Sequence, residues 1–203
     1  MTIPSQSRTP TERLRRAVLF VAFLNFTYGV IEFIVALQIG SVSLFADSVD
    51  FFEDASVNLL IFFALAWTLQ ARARIGMALA AILFIPALAG LWLAIQKLQA
   101  PVPPDSFLLG ITGLGALGIN VFCAWLLASY RHAGGSVARA AWLSARNDAY
   151  ANAGIIVAAF VTAFLWTSGW PDLIVGLVIA WLNADAARAV WTAARQEHRE
   201  AQA

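Results

Sequence analysis

The chain has 203 residues, 61% of them hydrophobic and 12% charged, with a mean hydropathy of +0.74. Soluble domains of this length are about half apolar and about one quarter charged, so the composition excludes a water-soluble globule and indicates an integral membrane protein partnered by the lipid bilayer. A net charge of +1 without a long run of Lys or Arg excludes nucleic acid as a partner, since nothing could track a line of phosphates.

A bilayer core about 30 Å thick takes roughly 20 apolar residues per helix. Six segments of that size follow one another: 17–38, 44–69, 75–97, 106–130, 138–165 and 171–193. The expected fold is therefore all-α, a polytopic membrane protein built as a bundle of six transmembrane helices. The opening MTIPSQSRTPTERLRR has the charge of a signal-peptide n-region, but the apolar run behind it is a full span and carries no small-x-small cleavage pattern, so it reads as the first span. The breaks QIGSVS, QARAR, QKLQAPVPPDS, RHAGGSVAR and TSGWPD leave no room for a soluble domain. The expected organisation is a tail over 1–16, a six-helix cation-transporter domain over 17–193 and a short tail over 194–203.

Arg8, Arg13, Arg15 and Arg16, then Arg72 and Arg74, then Arg131, Arg139 and Arg146, then Arg188, Arg195 and Arg199 fall at or near one side, with Lys97 alone on the other. Lys and Arg in short flanking loops stay in the cytoplasm, which puts both termini there, in a multi-pass protein of the cell (inner) membrane. Trp67, Trp142, Trp166, Trp170 and Trp191 stand near span ends, where aromatic anchors sit.

Several features read as structural. Cys123 lies in an apolar run and reads as a small core hydrophobe. Gly113, Gly115 and Gly118 match the spacing of a dinucleotide fingerprint, but they lie inside the fourth span with no strand before them, so close helix packing is the better reading. Pro86 should kink the third span. His132 and His198 read as surface histidines.

The second span is different. Asp47, Asp50, Glu53 and Asp54 project within roughly a 120° sector of one helix, and Asn58 continues the line from Asp54. An ionised acid at a helix centre costs about 2.5 to 3.5 kcal/mol on insertion scales, so this face must look into a protein cavity with a cation as the simplest compensating partner. The fifth span carries Ser144, Asn147, Asp148 and Asn152, of which Ser144, Asp148 and Asn152 share a face at i, i+4, i+8. Asp54-Ala-Ser-Val-Asn58 is echoed by Asp148-Ala-Tyr-Ala-Asn152 at similar distances from the helix starts. The two spans run in opposite directions, the relation expected of inverted three-helix halves sharing a midplane site. Asp50, Asp54 and Asp148 therefore read as cation-binding. Asp47 and Glu53 fit cation binding or a bundle-tying network equally, and Glu32, alone in the first span, reads as an interhelical hydrogen-bond partner or a loading site.

These residues resemble the cation diffusion facilitator family of divalent-metal/proton antiporters. Its members are six-helix bundles whose second helix enters as GSxxLxADxxDxxxD and whose fifth reads HxxxDxxxS, followed by a tight outer turn and a WxDPxV-like start to helix six. GSVSLFADSVDFFEDASVN, SARNDAYANAGIIVAAF and SGWPDLIVGLVIAWL match in order, and the likeness runs from the first span to the sixth, including Glu32 and Asn120. It implies that Asp50 and Asp54 are the helix-two ligands and Asp148 the helix-five aspartate. The fourth ligand of the family, usually histidine, falls at Ser144. With no histidine in the spans, Asn152, Asn147 or water would complete the shell, giving a metal site of Asp50, Asp54, Asp148, Asn152 and Ser144. All-oxygen ligation shifts the expected cargo from zinc toward Mn²⁺, Mg²⁺, Fe²⁺ or Co²⁺. The family's usual cytoplasmic C-terminal domain has no counterpart in this sequence, so a homodimer would be held by the membrane helices.

The implied function is export of a divalent metal ion by alternating access with proton antiport, the metal ion and protons being substrates. No substrate bond changes, so no enzyme activity and no resident cofactor are expected. Two other readings fit the same residues: a non-transporting or degenerate membrane subunit, and a transporter of an organic cation.

Overall fold

The apolar segments fold as helices whose ends are marked by local chemistry. In the computed structural model, which describes residues 10–64, 88–129 and 135–183, α1 covers Pro10–Ile39 and α2 covers Val42–Ala64. Residues 88–99 form α3, Ser106–Ala128 form α4, Gly135–Phe164 form α5 and Trp170–Asn183 form α6. No strand occurs among the described residues. Between α1 and α2 the chain reverses at Gly40, whose φ of 62° favours a residue without a Cβ. Asp105 caps α4, its carboxylate accepting from the Leu108 N–H at 2.9 Å.

By length and composition, Glu12–Ile39 and Ser106–Ala128 can each cross a membrane. Helices α2 and α5 have comparable lengths of 23 and 30 residues but carry the acidic and amide side chains. The starts of α2 and α5 fall slightly before the expected 44 and 138, and Asp54 and Asp148 still stand at nearly matching distances from them. Most of the expected third span, the end of the sixth, Pro86, His132, His198, Trp67, Trp191 and the arginines from Arg72 to Arg131 and from Arg188 to Arg199 lie outside the described residues, as do the side chains of Arg139 and Trp142.

Facing pairs fix the helix directions. Asn25 meets Asp54, and Phe33 meets Phe45, so α1 and α2 are antiparallel. Gly90 faces Phe45 while Lys97 reaches Gly40, so α3 runs against α2. Gly110 faces Ala159, Gly113 faces Ile155 and Asn120 bonds to Asn152, making α4 and α5 antiparallel. Val42 meets Asp172 and Ala46 meets Asn183, so α6 runs parallel to α2. Consecutive helices thus alternate in direction. The hairpins α1–α2 and α4–α5 join through α1–α4 and α2–α5.

Two apolar clusters close the ends of this assembly. Ala36, Leu44, Phe45, Leu109, Ile155, Ala159 and Ile179 pack near the N-terminal end of α2. Val18, Val21, Cys123, Leu127 and Ala145 pack at the opposite end. Polar residues lie between: Asn25 and Glu32 on α1, Asn120 on α4, Asp148 and Asn152 on α5. The outer surface is apolar, with Phe23, Phe107, Trp125, Phe164 and Trp181 all more than 60% exposed. A water-soluble protein does not display such a surface, whereas lipid covers it without cost.

Candidate cation site

Helix α2 supplies Asp50 and Asp54 one turn apart, which places both carboxyls on the face toward α5. From α5, Asp148 reaches hydrogen-bonding contact with both. Asp54 also accepts from Ser144 Oγ at 2.8 Å and from Asn25 Nδ2 at 3.4 Å. Because α5 is antiparallel to α2, Ser144 and Asp148, one turn apart themselves, come opposite Asp54 and Asp50. Four of the five expected ligands are therefore together: Asp50, Asp54, Asp148 and Ser144. Among the described residues, no N–H or hydroxyl group donates to the buried Oδ2 of Asp148.

Asn152 stands elsewhere. It is fully buried, donates through Nδ2 to Asp47 Oδ2, and accepts from Asn120 Nδ2 at 2.9 Å. The reason is the same antiparallel register: one turn beyond Asp148 on α5 lies opposite one turn before Asp50 on α2, and that residue is Asp47. Asp47 in turn faces Glu32 of α1 at hydrogen-bonding range. The polar layer thus has two parts, an Asp50–Asp54–Asp148–Ser144 group and a Glu32–Asp47–Asn152–Asn120 group. Glu53 is half-buried on the flank of α2, and Asn147 is exposed, where its Oδ1 accepts from Arg146 at 3.2 Å.

Among the described residues, no three His, Cys, Asp or Glu side chains are spaced as a finished metal cage. The three aspartates instead meet carboxyl to carboxyl. Such contacts carry a proton between the oxygens, and a dication competes for those same oxygens. Ser144 adds a neutral oxygen where imidazole would give a softer nitrogen, and its hydroxyl is committed to Asp54.

A third buried polar group was not legible as a site. Lys97 was expected as a lone loop cation, but its side chain is 7% exposed and pairs with fully buried Asp172 at 3.2 Å. Asp172, in the first turn of α6, also accepts from Ser41 Oγ and Ser43 Oγ, both at 2.6 Å, from Val42 N at 2.9 Å and from Ser43 N at 3.2 Å. These donors are the open N-terminus of α2, where a carboxylate is favoured by the orphan N–H groups and the helix dipole. The paired serines before an apolar run and the acid after Trp170-Pro171 were the available signals. Nothing local says that they meet.

Residues 18–195 match the family model described as the cation efflux transmembrane domain, which takes in every group above. The chain belongs to the cation efflux family. It is accordingly an integral membrane protein and a cation transporter of the cation diffusion facilitator kind, in a family of transporters rather than enzymes. The family match also gives the buried acids a setting, since a cation efflux protein needs carboxylates that a cation can reach inside a bilayer.

Proposed function

We propose that this cation efflux protein exports a divalent metal ion from the cytoplasm by alternating access, exchanging it for protons, with Asp50, Asp54, Asp148 and Ser144 as the cation seat. The observation that carries this reading is the contact of Asp148 with both Asp50 and Asp54 across the α2–α5 interface, in a layer bounded by apolar clusters at both ends. Three carboxyls on two helices supply the charge for a dication, and separating or reorienting those helices would change which end the seat faces. The apolar clusters act as the barriers that each opening must part. The frame for this cycle is six spans across the cell (inner) membrane with both termini cytoplasmic, and a homodimer assembled through the membrane helices.

The cargo and the counter-ion use the same oxygens. When a dication binds, the protons shared among the aspartates leave, and their release couples the two flows. With Ser144 as the fourth group, the donor set is all oxygen, which suits Mn²⁺, Mg²⁺, Fe²⁺ or Co²⁺ better than zinc. Flux in proteoliposomes across a panel of divalent metals, with a pH gradient imposed, tests the reading. Mn²⁺ movement that collapses in Asp54→Asn and Asp148→Asn is the expected result. Unchanged flux in both variants, or movement of organic amines but of no metal, would refute it.

A further inference from the structure

The Glu32–Asp47 pair is not used by the cation seat and has chemistry of its own. Both residues are fully buried. Among the described residues, no N–H or hydroxyl group donates to Glu32 Oε1, Glu32 Oε2 or Asp47 Oδ1. Glu32 and Asp47 stand at hydrogen-bonding range of each other, so one proton between them can partner the pair, whereas two bare carboxylates there would each leave a buried oxygen unsatisfied at about 1–3 kcal/mol or more. Among the described residues, the hydroxyl beside the pair is committed elsewhere. The Tyr28 hydroxyl, which interacts with both acids, donates to the Thr112 carbonyl at 2.7 Å.

The two asparagines arrange the pair rather than satisfy it. Asn120 donates to Asn152 Oδ1, which fixes the Asn152 amide and aims its Nδ2 at Asp47 Oδ2. Asp47 is thereby gripped by one oxygen, while the other is left beside Glu32. Asp50 interacts electrostatically with both Glu32 and Asp47, so the pair adjoins the cation seat on the side of the α2 N-terminus.

We propose that Glu32 and Asp47 form a second seat for a hard, oxygen-preferring divalent cation, occupied in turn with the Asp50–Asp54–Asp148 seat. This rests on the transport reading above and adds a second stage to it. With the shared proton displaced, the facing oxygens supply two carboxylate groups, Asn152 holds one of them in place, and water completes the shell of an ion such as Mn²⁺. Asp47 and Asp50 are separated along α2 by roughly 4.5 Å of helix rise. Two dications that close repel strongly, so the seats fill alternately, and a cation arriving at one promotes departure from the other.

The test is equilibrium Mn²⁺ binding to the purified full-length chain in detergent, followed by electron paramagnetic resonance. The Asp54→Asn/Asp148→Asn variant should keep one Mn²⁺ per chain with affinity weakened about tenfold. Adding Glu32→Gln, or separately Asp47→Asn, should remove it. Both substitutions are close to isosteric, and a monodisperse chromatographic peak shows that each variant has folded. Complete loss of Mn²⁺ in Asp54→Asn/Asp148→Asn overturns the second seat while leaving the first intact. Residual binding that survives both added substitutions overturns it as well, as does a Glu32→Gln effect confined to proton release. If Asp54→Asn/Asp148→Asn binds as tightly as the wild type and Glu32→Gln abolishes binding, the first seat fails and the second stands.

Discussion

The Lys97–Asp172 pair permits a prediction whose size follows from its hydrogen bonds. Asp172 receives five donors: two serine hydroxyls, two backbone N–H groups and Lys97 Nζ. In Asp172→Asn the amide oxygen can take the Oδ2 position and keep Val42 N and Lys97, while the amide NH2 faces Ser41 and Ser43, whose hydroxyls rotate to accept. Only the 3.2 Å bond from Ser43 N is lost outright. The main penalty is then the unneutralised Lys97 charge, buried at 7% exposure. Removing one partner of a buried pair costs about 3–5 kcal/mol, and the retained Gly40 carbonyl puts Asp172→Asn near the bottom of that range, about 3 kcal/mol. Lys97→Met keeps the apolar stem and leaves Asp172 with four donors, so about 1.5 kcal/mol is expected. The double variant has neither charge and should cost no more than about 2 kcal/mol, a coupling of about 2.5 kcal/mol. Equilibrium unfolding in bicelles for the four proteins measures this cycle. Additivity within about 0.5 kcal/mol, or a larger cost for Lys97→Met than for Asp172→Asn, would refute the reasoning.

Three other outcomes are expected. Ser144→His puts imidazole beside Asp54 and should raise Zn²⁺ flux relative to Mn²⁺ by about tenfold in proteoliposomes, because nitrogen suits zinc better than a hydroxyl does; an unchanged ratio would separate Ser144 from the seat. Lowering the pH from about 8 to about 6 should weaken Mn²⁺ binding, because protons and cation compete for the same carboxylates, and calorimetry in buffers of different ionisation enthalpy should show proton release. Gly176→Ala would bring a Cβ to 2.7 Å from Ser43 N and Val42 C, backbone that cannot rotate away, so a loss of about 1–3 kcal/mol should appear as a lowered thermal midpoint.

What the sequence disclosed was whatever depends on one helix at a time. Asp50 and Asp54 share a face because they are one turn apart, and Ser144 and Asp148 do so for the same reason; once the two helices are antiparallel neighbours, the pairs meet. Gly113 inside an apolar span signalled close packing, and a Cβ there would stand 3.0 Å from Ile155. Buried Cys123 is likewise an apolar core residue. The features that escaped depend on register between helices, which no single-helix period encodes. Asn152 shares the face of Asp148, and only the offset of α5 against α2 decides that it meets Asp47 instead. Lys97 lies at the end of an apolar run and reads as a loop cation until α6 brings Asp172 beside the start of α2. That placement has a consequence for transport: α2 is held at its N-terminus by α3 and α6, and in its middle it presents two carboxylate groups, one to α5 and one to α1. A motion that turns α2 relative to α5 would alter the Asp50–Asp148 contact before it disturbed the Asp172 bonds. On the proposed transport reading, the Asp172 cap would then be the fixed point of α2, and the middle of that helix the part that exchanges cations.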